Sequence, residues 1–301
     1  MIRPTTFIDA ARLARRLGLK RLILASETFQ HTGSFKFRAA FNVVSKVPQR
    51  ELITASSGNF GQGLAYASRL LDKRCIVVMP NNSARTKVEG VQEYGGVVDT
   101  IETTKISRAQ RVTELAKKYP DAYVASAYDD PLVIEGNATL GKELAELKGE
   151  VDCILAAVGG GGLTSGIISG FRASGSKLPV IGVEPVIAND AARSLRAGKI
   201  IANASEPQTI ADGVRTASLG QHNWKILKDG LKRIIEVPES SIGEAVRLLF
   251  NFANLKAEPT GALSLSAILT DERSFNGKSV CCVISGGNVD PELFQQILDS
   301  E

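Results

Sequence analysis

The chain predicts an α/β protein built on open, mainly parallel sheets. Short β-rich runs alternate with longer segments of helical period along most of its length. Glycine- and serine-rich turns close several of the β-rich runs, and no repeat or low-complexity tract interrupts the order. At 301 residues with 44% hydrophobic content, the chain has the length for one large or two moderate lobes.

Taken in order, the spacing predicts strands over Leu52–Ala55, Cys75–Met79, Val97–Ile101, Tyr123–Ser126, Cys153–Val158, Val180–Val183, Arg233–Val237 and Val280–Ile284. Helical period is clearest over Ala84–Tyr94, Ser107–Lys118, Val133–Leu147, Leu163–Ser174, Ile242–Asn254 and Ala262–Leu269, with a further helical segment from near Leu64. Ligands of such sheets bind beyond the carboxyl ends of the strands, so the motifs that follow strands are the candidate site.

Charge and composition narrow the class. Lys plus Arg total 36 against 32 for Asp plus Glu, and a net charge of +4 does not suggest nucleic acid as the partner, while a small anionic ligand stays compatible. Cys75, Cys153, Cys281 and Cys282 lie in apolar runs without zinc or disulfide spacing, which suits core packing. His31 and His222 are the only histidines, so neither a histidine-rich metal site nor a histidine-centred triad is supported. No secretory core or bilayer-length apolar run is present, which makes a cytoplasmic protein the expectation.

Four motifs carry chemistry. In Gln30-His31-Thr32-Gly33-Ser34-Phe35-Lys36-Phe37-Arg38, a lysine stands between aromatic residues just behind a small-residue turn. Poor hydration lowers an ammonium pKa, and a neutral amine on a rigid element suits Schiff-base chemistry; the plain alternative is a surface lysine at a helix start. Ser56-Ser57-Gly58-Asn59-Phe60-Gly61 follows a strand and offers backbone and side-chain donors to a carboxylate, or simply forms a strand-to-helix turn. Gly159-Gly160-Gly161-Gly162 ends the Cys153 strand, and four successive glycines carry a large conformational cost unless something approaches the backbone closely, as a phosphate does. Ser285-Gly286-Gly287-Asn288 closes the last strand and brings a hydroxyl able to meet a ring nitrogen, or to cap a turn. Glu184 ends the next strand after the glycine run, where a dinucleotide fold keeps an acidic residue, but no three glycines there satisfy G-x-G-x-x-G.

The joint order of these motifs resembles the fold-type II (tryptophan synthase β-like) pyridoxal phosphate enzymes, in particular the serine racemase and serine/threonine dehydratase (ammonia-lyase) group. Tyr128-Asp129-Asp130-Pro131, Thr209-Ile210-Ala211-Asp212-Gly213 and Glu258-Pro259-Thr260-Gly261-Ala262 extend the likeness over almost the whole chain. The resemblance implies two open parallel-sheet lobes with the cofactor in the cleft between them: residues 50–129 as a small substrate-loop lobe, and 1–49 with 130–301 as a large cofactor lobe. Lys36 would carry pyridoxal 5'-phosphate as a Schiff base, with Phe35 near the ring, Asn59 at its hydroxyl, Ser285 at its nitrogen and Gly159, Gly160, Gly161 and Gly162 around its phosphate. Ser56, Ser57, Gly58, Asn59 and Phe60 would hold the substrate carboxylate, and Glu184, the Ala188 carbonyl and Asp190 match a site for Mg²⁺, Mn²⁺ or Ca²⁺. Phe60 stands where relatives often have histidine, and Gly136-Asn137-Ala138-Thr139 replaces a common Gly-Gln-Gly-Thr.

The implied activity is β-elimination of water from serine, threonine or 3-hydroxyaspartate, giving a 2-oxo acid and ammonia. Lys36 would act as general base, and Ser57 as a second base on the opposite face where racemisation accompanies elimination. Cysteine-synthase-like β-replacement, a nucleotide-dependent oxidoreductase and an inactive ligand sensor are the rival readings. A homodimer follows from the family alone, with a small amino-acid substrate as the partner and neither nucleic acid nor membrane. Lys105 and Arg215 are candidates for a second substrate carboxylate, against a plain reading as solvated surface charges.

Overall fold

The computed structural model describes residues 1–300 except 57, 82 and 84. Among the described residues, ten strands form two sheets: β1 (Thr6–Asp9), β2 (Arg21–Ser26), β3 (Glu51–Ala55), β4 (Arg74–Pro80), β5 (Val97–Ile101), β6 (Tyr123–Val124), β7 (Cys153–Ala157), β8 (Val180–Pro185), β9 (Leu231–Val237) and β10 (Ser279–Ile284). The larger sheet runs β1-β2-β10-β7-β8-β9 and the smaller one β5-β4-β3-β6. Every pairing is parallel except β1 with β2.

Both faces of the larger sheet are covered, so its central strands are apolar throughout rather than alternating. Along β2 and β10, Leu22, Leu24, Cys282 and Ile284 join the core under helices 239–253 and 259–270. Ile23, Ala25, Cys281 and Val283 join the opposite core under helices 131–145 and 162–173. In the smaller sheet, Leu52, Cys75 and Val77 pack toward helices 36–46 and 59–70, and Ile53, Ile76 and Val78 toward helix 108–118. All four cysteines are free and buried. No described helix is long and apolar enough to cross a membrane.

The α/β parallel architecture agrees with the sequence, but the reading from sequence placed no strand before Leu52. The structure places two. Buried on both sides, β2 is a short unbroken apolar run, Leu22-Ile23-Leu24-Ala25, without the alternation that would mark it. Two other boundaries move for local reasons. Helix 59–70 begins at Asn59 rather than near Leu64, where the Ser56 hydroxyl accepts from Gly61 N at 3.1 Å and winds the chain early. β6 stops at Val124, because Ser126 Oγ accepts from Asp129 N at 2.9 Å and turns the backbone out of the sheet. The predicted helix over 84–94 is found as Arg85–Glu93, Ala84 lying outside the described residues.

Candidate active site

Strand pairing brings the first and last motifs together. Ser26 at the end of β2 lies opposite Ile284 at the end of β10, so the loops leaving the two strands run side by side. Phe35 N donates to Ser285 O and Gly287 N to Gly33 O, both at 3.0 Å. Gly33 has φ +72°, and a Cβ there would lie 2.3 Å from Asn288 Oδ1, so only glycine fits this crossing.

Helix 36–46 starts from that wall, and Lys36, its first residue, reaches toward the smaller sheet. Its Nζ donates to Ala127 O at 2.7 Å, just beyond β6. The ring centroids of Phe35 and Phe60 lie 5.2 and 5.8 Å from the amine. Burial lowers the Lys36 pKa from 10.5 to about 8, against a smaller opposing pull from Glu258. Glu258 is itself buried, and burial together with Asp212 raises its pKa. The carboxyl accepts from Asn59 Nδ2 at 2.7 Å.

The glycine run leaves β7 and enters helix 162–173, with Gly161 at φ +95° as its N-cap. Tyr128, next to the Ala127 carbonyl that holds Lys36, covers this run: a Cβ on Gly160 would sit 2.2 Å from the tyrosine ring. Asn223 Nδ2 donates to Gly160 O and Tyr128 O at 2.8 and 3.0 Å, and Asn137 Nδ2 to Gly162 O at 3.0 Å. These amides tie the loop carbonyls back, while a helix start presents N–H groups and a positive dipole end to an anion. The Asn137 departure therefore acts on the glycine run itself.

Several buried hydroxyls stand without partners among the described residues: Ser285 Oγ, Ser34 Oγ and Thr164 Oγ1. Buried hydroxyls are ordinarily satisfied, so this set suits a polar group from outside the chain. A poorly hydrated amine, a glycine cradle at a helix start and an unpartnered hydroxyl near each end fit pyridoxal phosphate. A cleft of about 620 Å³ opens beside them, lined in part by Ala55, Arg108, Ala127, Tyr128, Asp129 and Ser218.

The other predicted residues divide. Ser56 caps the turn into helix 59–70, Gly58 is that helix's N-cap, and Ser57 lies outside the described residues. Glu184 accepts from Ala191 N and Ala192 N at 3.3 and 2.7 Å, capping helix 190–197. Asp190 Oδ1 accepts from Asn203 Nδ2 at 2.9 Å, while its Oδ2 has no partner among the described residues. Burial raises Glu184 to about 9 and Asp190 to about 6. No group of three or more His, Cys, Asp or Glu able to hold a metal occurs among the described residues. Lys105 is 76% exposed beside Glu102, as its plain reading has it, whereas Arg215 is partly buried and donates from Nε to Thr209 O at 2.8 Å. His31 packs against Phe37 and Tyr66.

Sequence reading assigned no role to Asn288, Glu258, Tyr128 or Asn223. The first three lie inside quoted motifs, which was the available signal; Asn223 carried none.

Fold and site together define an enzyme class that keeps a carbonyl cofactor on a lysine between two α/β sheets. A family model described as "Pyridoxal-phosphate dependent enzyme" matches residues 1–286, and the chain belongs to that family. An L-threo-3-hydroxyaspartate ammonia-lyase of a Pseudomonas species is 36% identical over 282 residues, covering 92% of this chain and 88% of the relative. The serine racemase of Schizosaccharomyces pombe is 33% identical, covering 90% and 85%. Among solved structures, a threonine deaminase whose source is given as T.th. superposes with a TM-score of 0.90 at 38% identity, covering 96% of this chain and 94% of the other.

Proposed function

We propose that the protein eliminates water from a β-hydroxy amino acid, of which 3-hydroxyaspartate is the preferred candidate, to give a 2-oxo acid and ammonia. The observation that carries this reading is the Lys36 amine, held 2.7 Å from Ala127 O between two aromatic rings with its pKa lowered to about 8. An amine so placed is substantially neutral near physiological pH, ready to bond a carbonyl carbon and, once released, to take a proton. Pyridoxal phosphate supplies an electron sink for the α-carbon when bound. Lys36 would carry it, Gly159–Gly162 would hold its phosphate, and Ser285 and Asn59 would meet its ring nitrogen and hydroxyl. Ser285 is a neutral hydroxyl and no strong acid, which favours expelling a β-substituent over prolonged storage of charge. Phe35 and Phe60 are buried and keep water from the amine.

Ser56 to Phe60 would bind the α-carboxylate. Arg108 on the cleft wall is the group suited to a distal carboxylate, with Glu206 at 3.3 Å as its partner in the structure. Glu184, Ala188 and Asp190 would hold a divalent cation, a reading supported by two buried carboxyls and the unpartnered Asp190 Oδ2. The lobe division at residues 50–129 is supported by the smaller sheet lying within 51–124. A cytoplasmic homodimer completes the proposal by family analogy.

Racemisation is the second reading, favoured by a serine at position 57 and by the serine racemase among the relatives. Ser57→Ala would then abolish racemisation and spare elimination of the L-substrate. The test of the main reading is reconstitution. The purified chain with pyridoxal phosphate is expected to show a band near about 410 to 420 nm, fixed by borohydride and absent in Lys36→Ala, by the Schiff-base assignment. Oxo acid and ammonia should form from 3-hydroxyaspartate, threonine or serine. A colourless protein, or one with neither oxo acid nor inverted enantiomer across that panel, overturns it.

A further inference from the structure

Asn59 is gripped at both ends of its amide. Its Nδ2 donates to Glu258 Oε1 at 2.7 Å, and its Oδ1 accepts from Asn288 Nδ2 at 2.8 Å. Asn288 Nδ2 also donates to Thr32 O at 2.7 Å. The polarity of this relay is not free to reverse. Thr32 O is a backbone carbonyl and only accepts, so the Asn288 group facing it must be the NH₂. That NH₂ spends its second hydrogen on Asn59, whose facing atom must then be oxygen. The Asn59 NH₂ is thereby turned toward Glu258, whose carboxyl oxygen accepts whether the acid is charged or neutral. One of the two Nδ2 hydrogens is used there, and one remains.

The surroundings are built for this grip. Gly33 leaves room for Asn288, since any Cβ at 33 would collide with the Asn288 amide at 2.3 Å. Gly286 likewise leaves room for Glu258 and Asn59: a Cβ at 286 would lie 2.5 Å from Glu258 Oε1 and 3.3 Å from Asn59 Nδ2. Glu258 N donates to Gly286 O at 3.1 Å, which fixes the carboxyl's backbone against the same loop. Glycines of two separate motifs thus serve one asparagine.

We propose that Asn288 and Glu258 are positioning residues that lock Asn59 as a one-way hydrogen-bond donor, so that it offers the cofactor's ring hydroxyl an N–H and never a carbonyl oxygen. The inference rests on the reading that Asn59 meets that hydroxyl. An oxygen that carries negative charge gains from a fixed donor and is repelled by an amide oxygen, and an unlocked asparagine would present either.

The test compares dissociation constants of two probes for the full chain freed of cofactor, followed by fluorescence: pyridoxal 5'-phosphate and its 3-deoxy analogue, which lacks the ring hydroxyl. Asn288→Asp keeps the shape but offers oxygens to Thr32 O and to Asn59, which turns the Asn59 amide over. It is expected to weaken pyridoxal phosphate at least tenfold while changing the analogue less than twofold. Asn288→Ala, which leaves Glu258 as guide, is expected to cost only two- to threefold. A residue that merely fills space predicts the reverse order, because Ala removes more volume than Asp, and predicts equal losses for both probes. Either result overturns the proposal. Should Asn288→Asp melt far below the wild type, Glu258→Met is read against the same two probes, with the same preferential loss of pyridoxal phosphate expected and an equal loss overturning. A wild type that binds neither probe would overturn the cofactor reading together with this inference, whereas a wild type that binds both with no preferential loss in any variant overturns this inference alone.

Discussion

Arg38 Nε lies 2.7 Å from Glu27 Oε2, and both side chains are 0% exposed. The guanidinium also donates to Glu143, Thr5 and Thr139, so one residue two positions past Lys36 ties helix 36–46 to the end of β2 and to helix 131–145. Burial raises the Glu27 pKa, and Arg38 is the main group pulling it down. Arg38→Met leaves a buried carboxyl without its countercharge and is expected to lower stability by about 3–5 kcal/mol. Adding Glu27→Gln should recover part of that loss. Denaturant melts of the single and double variants check this; equal stability of the two variants would mean that the charge pair is not the cause.

The lowered pKa of Lys36 is a stability cost with a definite pH window. Folding moves it from 10.5 to about 8, so below about pH 8 the folded chain holds a poorly hydrated ammonium and the cost is fully present. Between the two values the unfolded chain binds more protons, stability gains with rising pH, and above 10.5 the cost is gone. At about 1.4 kcal/mol per pH unit, the Lys36→Met protein without cofactor should be more stable than wild type by about 3 kcal/mol at pH 7, with the gap closing toward pH 10.5. A constant gap across that range in urea titrations would contradict the assignment.

Arg108 divides substrates by charge if it receives a distal carboxylate. Arg108→Met is expected to raise KM for 3-hydroxyaspartate by about ten- to a hundredfold, the worth of a charge-assisted hydrogen bond. KM for threonine should stay within about twofold. A parallel rise for both would remove Arg108 from substrate recognition and leave the elimination chemistry standing.

The paired carboxyls Glu184 and Asp190 give the cation reading a thermal test. Mg²⁺ at a hundredfold excess over its Kd should add about 2.7 kcal/mol to stability, seen as a raised Tm. Asp190→Asn should abolish the increment. If the variant responds to Mg²⁺ as wild type does, the ion binds elsewhere.

Much of this architecture was legible in the order of residues. The alternation of β-rich and helical segments identified the sheets, since central strands such as β7 are apolar runs bounded by glycine. The β2 strand escaped because Leu22-Ile23-Leu24-Ala25 is short and follows a basic helical stretch, so neither period nor flanking turn set it apart. That one omission mattered most for the site, because the β2–β10 pairing is what lays Gly33 and Ser34 against Ser285 and Gly286. Helix 59–70 was delayed to Leu64 for a different reason: glycines and an asparagine weaken helical propensity where a serine hydroxyl supplies the first turn.

The sequence by itself determined the chemistry: a lysine behind a small-residue turn, a tetraglycine run and a terminal serine are local patterns, and backbone conformation and hydration act over a few residues. Only the tertiary structure decided which atoms answer one another. Ala127 O for the Lys36 amine, and Glu258 and Asn288 for the Asn59 amide, come from segments 91, 199 and 229 residues away. Hydrogen-bond polarity is settled by three-dimensional neighbours that no spacing along the chain encodes.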